Sequence, residues 1–90
     1  MDHIFKMFVD MVEEAAEKES RLYVWNEGKS ITSVFTFVPY EYNLVNKIYI
    51  EGECCKIEID NIENMEIHHD EIENEFIINV NGETTYIKSI

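Results

Sequence analysis

The run His68-His69-Asp70-Glu71 holds four side chains able to ligate a metal, and the adjacent thiols Cys54 and Cys55 lie upstream of it. On a strand, neighbouring residues point to opposite faces, so His68 with Asp70 could share one ion and His69 with Glu71 another. Two ligands do not make a site, and the two cysteines lack the C-x-x-C spacing of structural zinc. Adjacent cysteines also do not readily bridge each other, so both read as reduced thiols. A cysteine nucleophile with a histidine base meets an electrostatic objection: Glu51, Glu53 and Glu58 would raise the thiol pKa and suppress the thiolate. The chain has three glycines and no G-x-S-x-G or phosphate-cradling run, the usual apparatus of acyl and phosphoryl transfer. Carboxylate pairs suited to a glycosidase arise by default in so acidic a chain and indicate nothing. The reading is a protein without enzymatic activity, cofactor or metal.

What the chain does offer is carboxylates. Between Glu51 and Glu75 stand Glu51, Glu53, Glu58, Asp60, Glu63, Glu66, Asp70, Glu71, Glu73 and Glu75, ten of the nineteen acids, against Lys56 alone of the seven bases. On one strand Glu58 and Asp60 would share a face about 6.6 Å apart, and the other acids extend that row over neighbouring turns and strands. Fixed negative charge at such spacing can occupy a groove in which Lys and Arg already wait for phosphates. Exposed acids also serve solubility and edge protection. The near absence of opposite charge in this stretch favours a partner-binding row. Tyr40 and Tyr42, flanking Glu41 beside Pro39, join it as interface aromatics.

The elements needed to present these groups follow from apolar spacing. Ile4, Phe5, Phe8, Met11, Val12, Ala15 and Ala16 recur at three and four, predicting an amphipathic helix from Asp2, its cap, to about Glu19. Strands are then expected over Leu22–Trp25, Ile31–Val38, Leu44–Glu51, Cys54–Asp60, Met65–His69, Glu75–Asn81 and Thr84–Ser89. Gly28 suits a hairpin loop, Pro39–Asn43 a connection and Asn61–Asn64 a turn. Asn81-Gly82 is a type I′ signal that sets Val80 opposite Glu83, Ile78 opposite Thr85 and Phe76 opposite Ile87. In the run from Cys55 to Ile72, the residues Cys55, Ile57, Ile59, Ile62, Met65, Ile67 and Ile72 are expected to turn inward. Trp25, Phe35 and Phe37 are assigned to the core. The fold class is α+β: one N-terminal amphipathic helix packed on an antiparallel β meander of five to seven strands, within a single domain.

A formal charge of −12 on 90 residues disfavours nucleic acid and anionic membrane as direct ligands and favours encounter with basic proteins. The hydrophobic content of 46% is that of a folding chain. Asp2 stands where a secretion signal would be basic, and no apolar run approaches the roughly 18 residues that span a bilayer. A cytoplasmic location is expected, in a host cytoplasm if the chain is phage-encoded. In size, charge and lack of catalytic motifs the chain resembles phage anti-defence proteins such as anti-CRISPR proteins, and immunity proteins that neutralise nuclease toxins. That resemblance implies a small inhibitor that occupies the groove of a basic nucleic-acid-handling protein such as a nuclease. It carries over no family residue. Two other classes remain open: a structural or assembly module, including a homodimer, and a small-molecule-binding domain.

Overall fold

A computed structural model describes residues 3–27, 32–53, 55–60 and 62–90. The cap expected at Asp2, the hairpin Gly28, the Ile31 start of the second expected strand, Cys54 and the start of the Asn61 turn lie outside the described residues. Helix α1, His3–Lys18, buries Phe5, Phe8, Val12 and Ala15, the stripe that the three-and-four spacing predicts. Lys18 in its last turn faces the negative end of the helix and bonds Glu14 at 2.8 Å. The helix stops because Glu19 turns left-handed, with φ 55°, letting Ser20 N donate to Ala15 O at 2.9 Å.

Among the described residues eight strands follow: β1 Leu22–Glu27, β2 Thr32–Phe37, β3 Glu41–Asn43, β4 Ile48–Glu51, β5 Lys56–Ile59, β6 Glu66–Asp70, β7 Glu75–Val80 and β8 Glu83–Ser89. They divide into two sheets, β2-β1-β8-β7-β6 and β3-β4-β5, and these described strands pair antiparallel throughout. The α+β class with one N-terminal helix on antiparallel strands is therefore as expected. The structure adds a second sheet, and it sets β8 beside β1, so the larger sheet is not a simple run of consecutive hairpins.

Asn81 and Gly82 take φ of 51° and 81°, and the β7–β8 register is the expected one. Most expected segments shift by one or two residues at an end, as β1 does in running on to Glu27 and β5 in starting at Lys56, and three differ for a local reason. Strand β4 begins at Ile48 rather than Leu44, because Asn43 Oδ1 accepts from Val45 N and Asn46 adopts φ 62°. The connection after Pro39 contains β3, a short exposed edge strand, where a proline just outside the ladder is tolerated. The turn after β5 includes a 3₁₀ turn at Ile62–Asn64.

The core lies between the larger sheet on one side and the helix plus smaller sheet on the other. Leu22, Val24, Phe37, Ile67, Phe76, Ile78 and Ile87 point inward from the larger sheet. They meet Phe8 and Val12 of the helix and Ile48, Ile50 and Ile57 of the smaller sheet. Phe8 packs edge-on against Phe76 at 5.5 Å. Two sequence expectations fail. Trp25 alternates with buried Val24, so it faces out of the larger sheet and stacks on Tyr86 at 4.5 Å. Ile72 sits in the β6–β7 turn and is 94% exposed, because Asp70 Oδ1 accepts from Ile72 N and Glu73 N and bends the chain there.

Candidate functional site

Strand alternation decides where each carboxylate points. On the smaller sheet Ile48, Ile50 and Ile57 face in, so Glu41, Tyr49, Glu51, Lys56 and Glu58 face out. Glu41 stands opposite Glu51 and Tyr49 opposite Glu58. Glu51 is the hub of this face. Tyr49 OH and Tyr40 OH both donate to its carboxylate, the latter at 3.2 Å. The Tyr49 hydrogen bond, first, and that of Tyr40 hold the Glu51 carboxyl below its ordinary range. The same bond pushes the Tyr49 phenol up to about 12, and Tyr40 is raised for the same reason. Glu51 therefore stays ionised at neutral pH and both phenols stay protonated. Lys56 lies 3.9 Å from Glu58, and Lys47 lies 5.5 Å from the centre of the Tyr49 ring.

On the larger sheet, Ile67, Phe76 and Ile78 face in, so Glu66, His68, Asp70 and Glu75 point away from the helix and smaller sheet. Glu71 and Glu73 follow in the adjoining turn, and Lys88 Nζ reaches Glu73 at 3.5 Å. The ten acids of the row are thus parted. Glu51 and Glu58 leave one side of the molecule, and Glu66, Asp70 and Glu75 leave the other. Glu53 follows Gly52 in the β4–β5 loop, Asp60 closes β5, and Glu63 sits in the 3₁₀ turn. Glu58 and Asp60 are also brought together on the wall of an open cleft of about 510 Å³ between the sheets, floored by Val24, Phe35 and Ile78. Tyr40 is 62% exposed beside Glu51. Tyr42, opposite buried Ile50 on the edge strand, is 37% exposed.

His68 and His69 separate as alternation requires. His68 points outward, its Nε2 3.8 Å from Glu66. His69 lies against the Phe76 ring at 4.6 Å, and its Nε2 donates to Asn74 Oδ1 at 2.9 Å, closing the turn. Among the described residues no three His, Cys, Asp or Glu side chains converge as metal ligands would. Among the described residues no helix is long and apolar enough to cross a membrane.

The residues missed by sequence reasoning lie on the outward side of the larger sheet. Val34, Trp25, Tyr86, Ile77 and His68 are mutual cross-strand partners, one from each strand. Val34 is 57% exposed. Alternation within Leu22–Trp25 carries the signal, but both phases there are apolar, so periodicity alone cannot choose the buried one. Comparison with protein-family models, with curated proteins and with solved structures gives no match to this chain.

Proposed function

We propose that this protein is a small acidic binder that inhibits a basic nucleic-acid-handling protein, such as a nuclease, by filling its groove from within the cytoplasm. The observation that supports this reading is the placement of carboxylates on both outward sides of a two-sheet β scaffold, with few bases among them. A groove has two walls, and its lysines and arginines meet phosphates on both sides of a bound strand or duplex. Glu41, Glu51 and Glu58 would face one wall, and Glu66, Asp70, Glu73 and Glu75 the other. Glu51 is held ionised and fixed in direction by two tyrosine hydroxyls, so its charge is presented without the entropy cost of ordering a free side chain. Charge complementarity of this kind speeds association and makes it salt-sensitive.

The test is capture of partners from a cell lysate at low salt, elution along a salt gradient, and assay of the eluted protein for nucleic-acid binding. A basic protein that leaves with rising salt, and loses its nucleic acid when the acidic chain is added back, supports the reading. So does loss of that effect in a variant carrying Glu41→Gln, Glu51→Gln, Glu58→Gln, Glu66→Gln and Glu75→Gln that still unfolds cooperatively. A partner indifferent to both salt and these substitutions overturns it. Val34, exposed on the outward side of the larger sheet, favours as second reading an assembly module that pairs with another subunit, for which sedimentation would show a complex that Val34→Lys breaks and salt does not.

A further inference from the structure

The helix and the smaller sheet both lie on one side of the five-stranded sheet, so among the described residues no layer covers its other side. Most of its positions are polar, as on a solvated antiparallel sheet, but an apolar and aromatic row crosses it. Across it runs the row Val34, Trp25, Tyr86, Ile77 and His68, roughly 19 Å long at the usual strand spacing. At its centre the Trp25 and Tyr86 rings stack at 4.5 Å with 22° between their planes. Beside them Lys88 Nζ lies 5.7 Å from the centre of the Tyr23 ring, so this face already holds one cation against an aromatic ring. At the other outward positions of the described strands the charged side chains are Glu27, Glu66, Asp70, Glu75 and one base, Lys88, beside the uncharged Thr36, Asn79 and Thr84.

We infer that this face is a docking surface for an arginine-bearing segment of a protein partner, whose guanidinium groups stack on the Trp25 and Tyr86 pair while Glu27, Glu66 and Glu75 neutralise them. The inference rests on the acidic-binder reading and names the part of the surface that anchors it. Arginine suits the face better than lysine because its planar, weakly hydrated cation covers an aromatic ring and still donates sideways to carboxylates. A second copy of this chain suits it poorly, since two such faces would bring Glu27, Glu66, Asp70 and Glu75 against their own kind.

Trp25 is the single tryptophan, so its fluorescence reports this face directly. Hexa-arginine and hexa-lysine peptides, matched in charge, are titrated at low salt while Trp25 emission and backbone NMR shifts are followed. The expected result is binding of hexa-arginine about 5-fold tighter than hexa-lysine, with shifts concentrated on Val34, Trp25, Tyr86 and Ile77. Trp25→Thr should remove the preference, and Val34→Lys, which leaves the core untouched, should weaken both peptides and hexa-arginine more. Equal affinities with shifts centred on Glu41, Glu51 and Glu58 would overturn this inference and leave the acidic-binder reading standing. Absence of salt-dependent binding by either peptide would overturn both. Concentration-dependent broadening of the row without peptide, with a dimer in sedimentation, would assign the face to a second copy and overturn it as well.

Discussion

At the scale of residues, two positions carry more constraint than their types suggest. Glu51 loses its proton more readily folded than unfolded, because the Tyr49 hydroxyl favours the carboxylate. Its contribution to stability is therefore complete above its ordinary value of 4.5 and fades as pH falls through the lowered one. Tyr49 has the opposite sign: its contribution is complete below the ordinary 10.0 and is lost as pH rises through about 12. Ultraviolet titration should show one tyrosine ionising near 12, and Glu51→Gln should bring that step down toward the ordinary value. Gly52 is the second position. A Cβ there would lie 2.5 Å from Phe37 Cδ2 and 3.0 Å from Phe37 Cβ and Cγ, and Phe37 is itself buried. Gly52→Ala should cost about 1–3 kcal/mol by urea unfolding, the usual range for overpacking. The sequence shows Gly52 as a turn residue; only the packing of the β4–β5 loop on Phe37, at the end of β2, reveals the close approach.

At the scale of elements, the helix end is a weak point that can be improved. Glu19 holds the left-handed cap conformation with a side chain attached, at a cost of about 1–2 kcal/mol, and it sets a negative charge at the negative helix end. Glu19→Gly removes both terms, offset by about 0.4–1 kcal/mol of extra freedom in the unfolded chain. The net expectation is a gain of about 1 kcal/mol, read as a higher urea midpoint with unchanged slope. The spacing of Phe5, Phe8, Val12 and Ala15 made the helix legible, as Asn81-Gly82 did the β7–β8 register. Strand β3 was not legible, since Pro39 and a run of exposed polar residues read as connection until β4 supplies its ladder.

At the scale of the whole molecule, charge and size meet. The molecule measures 32 × 30 × 27 Å and carries a formal charge of −12. At about 0.01 M salt the screening length is about 30 Å, so every carboxylate acts on every other; at about 0.15 M it is about 8 Å. The ion pairs Lys6–Asp10, Lys18–Glu14, Lys56–Glu58 and Lys88–Glu73 are exposed or half-exposed and each worth little, so self-repulsion should win. Calorimetry should therefore show the unfolding temperature rising by a few degrees between those two salt concentrations. A fall would mean that the ion pairs outweigh the repulsion.

The sequence by itself determined the α+β class, the helix with its buried stripe, the β7–β8 hairpin and the excess of acid, because each follows from spacing or composition within a short stretch. Only the tertiary structure decided that the carboxylates between Glu51 and Glu75 part to two sides, and that Trp25 and Tyr86 face outward. A strand's alternation names two faces without saying which one another layer will cover. That choice was made by the helix and the smaller sheet settling together on the side of Val24, Ile78 and Ile87.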